Sequence, residues 1–453
     1  MAFVNPPQRL PGVYHQVESV VRHLSSVPAR GRVMDMMPLD WFIPGEVVDI
    51  HVREWLSNEA LHKVGMTFTP DFPNNLSLNA LMDGAELGLI FPQNTSGAPA
   101  SATHGDITIT ARKHGAAGNE ITVNFIEQGG LFTVTTFFRG NPQVIQRVES
   151  LDQLQDNPFV TFDFAVNTAI QIGEVMLTGG DSGTVPAYSQ RMGAYLEAAM
   201  LEDWNVIAFS IDPADPGYLQ AINAFEAWLD QFNTDIQEFR KAVLFNPEDL
   251  SSDNIFISNL RQTASFDGTP LTPGDMVRYD AGHSAGAGAN HSRTADRQAR
   301  LSNLQPRYNI RQRTNFMNRG FLLYDQDLHG IVTVVRDIGS FVSTSLTRNI
   351  QFTDNRTMRT IDAWLRAVNT LFRRDFKGAV DDTEEGRNLF RCALDVLAMR
   401  FQESGLIAGH SIDKITVNPG GFRTWQTVYE PAVIPTAVDT LDMITRITWG
   451  GIL

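Results

Sequence analysis

FTDNRTMRTIDAWLRAVNTLFRRDFKGAVDDTEEGRNLFRCALDVLAMRFQESGL, residues 352–406, is the longest patterned stretch of this chain, and nothing in it carries chemistry. Met358, Ile361, Leu365, Val368 and Phe372 recur at steps of three and four, which predicts a helix with one apolar stripe, Asp354 as its cap and Arg359, Arg366, Arg373 and Arg374 off the stripe. A second helix follows, with Asp382 and Glu385 spaced as a capping box, Gly405 placed to reverse the last turn, and Leu389, Phe390, Ala393, Leu397 and Phe401 as its buried face. Two one-sided helices need a partner surface. The short β-prone runs IDKITVNP, TVYEPAV and LDMITRITWGGIL supply one, so residues 351–437 read as an α+β unit and 438–453 as a trailing strand.

Working outward, 453 residues exceed one ordinary core and predict two to four domains. With 51 acidic against 36 basic side chains the formal charge is −15, which argues against general nucleic-acid binding. The lone Cys392 excludes an intramolecular disulfide framework, and its place beside the predicted apolar face reads as a buried, inert thiol. No run approaches the ~20 apolar residues of a membrane span, and the first residues lack the pattern of a signal peptide, so neither membrane insertion nor secretion is expected.

Residues 1–25, with Pro6, Pro7 and Pro11 around GVYHQVESVV, read as an extended arm carrying one strand. Residues 26–102 begin an α/β unit, with two short strands, a helix over Leu76–Leu87, the strand GLIFPQ and a flexible TSGAPASA. From 103 to 170 five alternating runs predict an inserted β-sandwich or barrel. Residues 171–350 return to α/β alternation and a largely parallel sheet, with EVMLTG, NIFISNL and MVRYDAG among its strands and RTADRQARLSNLQPRYNIRQR as a long connection. The scattered tryptophans predict several cores rather than one binding platform.

One motif points to chemistry. Gly282, His283, Ser284, Ala285 and Gly286 spell the nucleophile elbow of serine hydrolases, which needs a strand before the serine and a helix directly after it. The following AGAGANHSR is a poor helix start, and a five-residue match recurs by chance, so a hydrolase using Ser284 stands as the alternative reading. GGDSG at 179–183 lacks a P-loop lysine and reads as a tight turn. The histidines show no metal-ligand spacing; no catalytic, metal or cofactor site is expected. The basic run Arg293–Arg313 suits contact with an acidic patch of another copy.

Taken in order, LPGVYHQVES, ITITARKHGAAGNEITVNF, LTGGDSGTV, DAGHSAGAGANHSRT, FTDNRTMRTIDAWLRAVNTLF and EEGRNLFRCALDVLAMRFQESGLI resemble the contractile tail sheath proteins of bacteriophages and phage-tail-like particles, in the group from Gram-positive phages and defective prophages. The resemblance implies a multidomain α/β fold: a subtilisin-like α/β domain without protease activity, the inserted β domain, and a carboxy-terminal α+β docking domain. It makes DAGHSAGAG a glycine-rich loop. It also implies a structural protein in stacked hexameric rings around a tail tube, with baseplate and tail terminator proteins as further partners and no direct contact with nucleic acid. Such a protein is assembled in the bacterial host cytoplasm and ends in a virion tail or tail-like particle.

The implied mechanism is assembly and contraction, with terminal strands added to a neighbour's sheet so that subunits rotate and stay tethered. The resemblance assigns the amino-terminal arm to Pro11, Gly12, Val13, Tyr14 and Val17, and the carboxy-terminal arm to Met443, Ile444, Ile447 and Trp449. Arg356, Arg359, Arg366, Arg373 and Arg374 become candidate contacts to the tube or a neighbouring subunit.

Overall fold

The computed structural model describes residues 29–66, 75–164, 171–247, 252–345, 348–420, 425–429 and 434–435. Its central sheet has seven strands in the spatial order Phe321–Leu322, Ile257–Leu260, Lys241–Phe245, Val206–Phe209, Arg32–Met37, Leu87–Pro92 and Val48–His51. All neighbours pair in parallel except the edge strand Val48–His51, which runs antiparallel to Leu87–Pro92. Runs such as VIAF and KAVLF are buried along their whole length, as parallel strands covered on both faces must be.

Helices α1 (Asn75–Met82), α2 (Tyr188–Ala199), α3 (Tyr218–Ile236) and α4 (Pro273–Gly286) supply that cover. Residues of α1 and α4 share a core with Val33, Ile90, Val206 and Val243. Residues of α2 and α3 share another with Met34, Ile207, Ala242 and Leu244. Alternate residues of each strand therefore feed opposite faces.

Helix α4 overturns two expectations. MVRYDAG is not a strand, and DAGHSAG is not a loop. Pro273 opens the helix, the Thr272 hydroxyl accepts from the Asp275 amide at 3.1 Å, and the Asp275 carboxylate accepts from the Thr272 amide at 3.3 Å, a capping box stronger than the pull of the β-prone residues. The glycines of the apparent elbow are packing residues. A Cβ on Gly282 would lie 2.1 Å from the Leu81 carbonyl oxygen, and one on Gly286 2.0 Å from that of Gly84, so α4 and the end of α1 meet backbone to backbone.

The inserted β region consists of two sheets around one core of Ile107, Ile109, Val123, Phe125, Val134 and Phe138, a sandwich rather than a barrel. One sheet orders Pro99–His104, Ile107–His114 and Val160–Phe164; the other orders Gly173–Met176, Ile121–Gln128, Leu131–Phe138 and Asn141–Val148. TSGAPASA is thus partly a strand rather than a flexible joint. EVMLTG joins the insert, antiparallel to Ile121–Gln128, and not the parallel sheet. The supposed connection 293–313 is structured as well, with Arg297–Gln298, Leu301–Gln305 and the start of helix α5 (Ile310–Asn318).

Helices α6 (Asn355–Leu371) and α7 (Glu384–Glu403) form the predicted pair, followed by an antiparallel hairpin of Ile415–Pro419 with Trp425–Tyr429. Asp354 caps α6, accepting from the Arg356 amide at 3.0 Å. Thr383, not Asp382, caps α7, accepting from the Gly386 amide at 3.1 Å. Gly405 follows α7 in the left-handed region, φ +71°. Four cores share the described tryptophans: Trp55 in the first, Trp204 and Trp228 in the second, Trp41 in the insert, and Trp364 and Trp425 against the helical pair.

The close approach of α4 to α1 yields a direct test. Gly282→Ala should lower stability by about 1–3 kcal/mol or more, because the added methyl must displace backbone rather than a side chain. A thermal midpoint equal to that of the unsubstituted protein would contradict this packing.

Candidate functional site

Helix α6 is not buried where its apolar stripe predicts. Met358 is enclosed, but Leu365 and Val368 are only half-buried and Phe372 is exposed. The side turned inward carries Arg359, Asp362, Ala363, Arg366, Ala367 and Leu371. Met358 belongs to the core beneath α2 and α3, whereas Ala363, Ala367 and Leu371 belong to the core shared with α7. One helix thus serves the central sheet and the carboxy-terminal unit together.

Charged groups sew it to the sheet. The Arg359 guanidinium, 1% exposed, donates to Asp337 Oδ2 and to the His291 carbonyl, both at 2.6 Å. The Arg293 backbone amide donates to the same carboxylate oxygen at 3.0 Å, and Asn355 Nδ2 donates to its other oxygen at 3.0 Å. Burial alone would raise the Asp337 carboxyl, but Arg359 and Arg293 outweigh it and hold it far below the usual carboxylate range. Arg293 continues the chain of contacts to Asp280 on α4 at 2.6 Å, and the Tyr324 hydroxyl donates to that carboxylate at 2.5 Å. Lys241, in the middle of the sheet, donates to Asn355 Oδ1. Its burial pushes the ammonium down to about 7, against the opposing pull of Asp337.

A second knot lies one to two turns along α6. Asp362 accepts from Arg30 at 3.1 Å and from Arg366 at 3.0 Å, and Arg366 reaches the Trp204 carbonyl at 2.6 Å. A third closes the carboxyl ends of the strands, where open α/β sheets ordinarily take ligands. There the Arg278 guanidinium donates to Asp35 at 2.7 Å, Asp275 at 3.0 Å, Ser210 at 3.0 Å and the Met36 carbonyl at 3.1 Å. The crevice is filled by side chains that satisfy one another, an arrangement that clamps and does no chemistry.

Ser284 is buried within α4 and makes no hydrogen bond to a histidine among the described residues, while His283 turns to Asp83 at 3.0 Å. An elbow needs an exposed serine on a strand-to-helix turn, so the hydrolase alternative fails on geometry. No group of His, Cys, Asp and Glu among the described residues is arranged to hold a metal ion. Cys392 is exposed, against the expectation of a buried thiol, because the inward side of α7 is Phe390, Ala393, Leu394, Leu397 and Phe401. Leu389 is likewise exposed.

Of the five candidate contact arginines, the structure takes Arg359 and Arg366 out of reach of a partner, since both are spent on buried carboxylates of their own chain. Arg356 is half-buried, Arg373 exposed, and Arg374 exposed beside Asp375 at 2.6 Å. The arm residues Pro11, Gly12, Val13, Tyr14, Val17, Met443, Ile444, Ile447 and Trp449 lie outside the described residues. Sequence reading missed the ionic seam, although Arg359, Asp362 and Arg366 recur at steps of three and four and so mark a second, charged stripe on α6.

Two consequences are measurable. Asp337→Ala should destabilise the chain by about 3–5 kcal/mol, by stranding buried guanidinium charge; chemical denaturation showing a loss below about 1 kcal/mol would refute the seam. Lys241 is charged in the unfolded chain up to its ordinary value of 10.5 but only up to about 7 when folded. Between those values the unfolded state binds the extra proton, so this lysine makes stability rise with pH from about 7 toward 10.5, and Lys241→Met should flatten that rise in a series of thermal midpoints.

No family model matches the chain. The phage-like element PBSX protein XkdK of Bacillus subtilis (strain 168) is 25% identical over 441 residues, covering 90% of this chain and 90% of that protein. The sheath tail protein Lin1278 of Listeria innocua superposes with a TM-score of 0.77 at 22% identity, over 88% of this chain and 95% of that one. The helical sheath of the anti-feeding prophage in its contracted state superposes with a TM-score of 0.55 at 10% identity, over 98% and 99%. The chain has the fold of the contractile tail sheath proteins of phages and phage-tail-like particles and resembles them along nearly its whole length.

Proposed function

We propose that this chain is the structural subunit of a contractile sheath, polymerising as stacked hexameric rings around a tail tube and shortening to drive the tube through a bacterial envelope. The observation that carries the reading is fold similarity along nearly the whole chain to proteins solved as sheaths, one of them in a contracted assembly. The seven-stranded sheet is the counterpart of a subtilisin-like domain whose crevice has been closed by Arg278, which suits a body that is moved rather than one that turns over substrate.

Adjacent rings are linked by exchanged terminal strands. The hairpin 415–429 supports this reading, because two strands are marginal in water and a third, supplied by a neighbour, completes a stable sheet. Backbone hydrogen bonds of that kind tolerate rigid-body rotation of the domains they join, so contraction replaces lattice contacts and leaves folds nearly unchanged. Residues 1–25 and 438–453 are the strands given and received. Arg356, Arg373 and Arg374 are the arginines of α6 and its extension that meet the tube or a neighbour. The subunit acts in a tail or tail-like particle, is assembled in the host cytoplasm, and has baseplate and tail terminator proteins as further partners.

Deleting residues 1–20 or 438–453 should leave far-ultraviolet circular dichroism and the thermal midpoint almost unchanged while abolishing long assemblies in electron micrographs. Polymers of normal length from either truncated protein would rule out the exchanged-strand linkage.

A further inference from the structure

Two surfaces from separate stretches of the sequence carry opposite charge around apolar centres. The first is a groove of about 740 Å³ beside α7. Helix α6 does not end cleanly; it runs into a single π turn, Phe372–Phe376, closed by a bond from the Lys377 amide to the Phe372 carbonyl at 2.8 Å. Such turns widen the helix and re-aim its side chains. Phe372, Phe376 and Trp425 line the groove together with Val380, and its lip carries Asp381 and Asp382, with Lys377 the one cation in the lining. Asp382 is already engaged by Arg387 and by the Trp425 indole. Asp381, Glu384 and Glu385, all exposed, form no ion pair among the described residues. The groove is therefore apolar within and anionic at the rim.

The second surface is a ridge built on α5. That helix buries none of its residues. It is held in place by the Asn309 capping box, by Phe316 against Phe321 and Tyr308, and by the ion pair of Arg313 with Asp325 on the next hairpin. Arg307 donates to the Gln326 carbonyl at 2.7 Å, which fixes the turn of the same hairpin beside the helix. At that turn Leu328 is 99% exposed, and on the helix Ile310 is 74% exposed. Asp327, the acid of the turn, is occupied by the amides of His329 and Ile331, both at 2.8 Å. Arg307 has no carboxylate partner among the described residues, and Arg311 forms no ion pair there. The ridge thus offers two apolar side chains flanked by two unneutralised guanidiniums, held on a braced support.

We propose that the ridge of one copy docks into the groove of a second copy. Leu328 and Ile310 cover the aromatic lining, and Arg307 and Arg311 meet Asp381, Glu384 and Glu385. Charge decides the geometry of the pairing. A cationic ridge cannot pair with another cationic ridge, so every contact joins a ridge to a groove, and repeated in one sense that contact propagates into a ring or a helix. The inference rests on the proposed self-assembly and adds a specific lateral or axial contact distinct from the exchanged strands.

A charge swap in the full chain tests it. Arg307→Glu with Arg311→Glu, and separately Asp381→Arg with Glu384→Arg, should each weaken self-association in sedimentation velocity by about tenfold or more. Mixing the two variants, in which every contact between unlike copies again pairs opposite charges, should recover association that neither shows alone. Leu328→Ser should weaken it without changing its salt dependence. If the unsubstituted protein assembles but the mixture recovers nothing, the docking contact is wrong and the sheath reading stands. An unsubstituted protein that stays monomeric under every assembly condition would overturn both.

Discussion

Several of the contacts that join the central sheet to the carboxy-terminal unit meet at one buried carboxylate. Asp337 is approached by the Arg359 guanidinium and the Asn355 amide group of α6 and by the Arg293 amide, so two segments besides its own converge on a single charge. A lone carboxylate in that position would be forced to take up a proton, and a lone guanidinium would be expelled toward water. The carboxylate stays ionised because Arg359 and Arg293 are present, and the contacts spread from there to Asp280 on α4 and to Lys241 in the sheet. Hydrophobic cores lie on either side of this seam, and each of its buried charges depends on another for a partner.

Sequence patterning reveals the number and type of cores here better than their junctions. Alternation in ITITARK and LFTVTTFF was enough to find the β insert, and the unbroken apolar runs were enough to find the parallel sheet. What escaped were places where tertiary contact outweighs local preference. MVRYDAG has the composition of a strand, yet Thr272, Pro273 and Asp275 commit it to a helix, and glycines that look like a loop are what let that helix touch another backbone. EVMLTG has a strand's composition whichever sheet it joins, and only register tells the two apart.

The candidate site was legible in part for a similar reason. An apolar stripe on α6 was assumed to mark the inward face, but an amphipathic helix between two cores has no single inward face. Its arginines, off the apolar stripe, were read as outward contacts because arginines are seldom buried unless paired. Their acidic partners Asp337 and Asp203 lie outside the helix, and no local rule connects them to it. The serine motif shows the converse error, a short pattern with strong associations whose residues serve packing alone.

Sharing α6 between two cores has a mechanical meaning. There is no compliant linker in the described residues between the hairpin 415–429 and the central sheet; the path runs through Trp364 against Tyr429, along a helix packed on both sides, and into buried ion pairs. A pull on the hairpin is therefore carried as stress through the body of the subunit instead of being absorbed as slack. The described body is a stiff coupling, and in the proposed sheath the shortening comes from movement between copies.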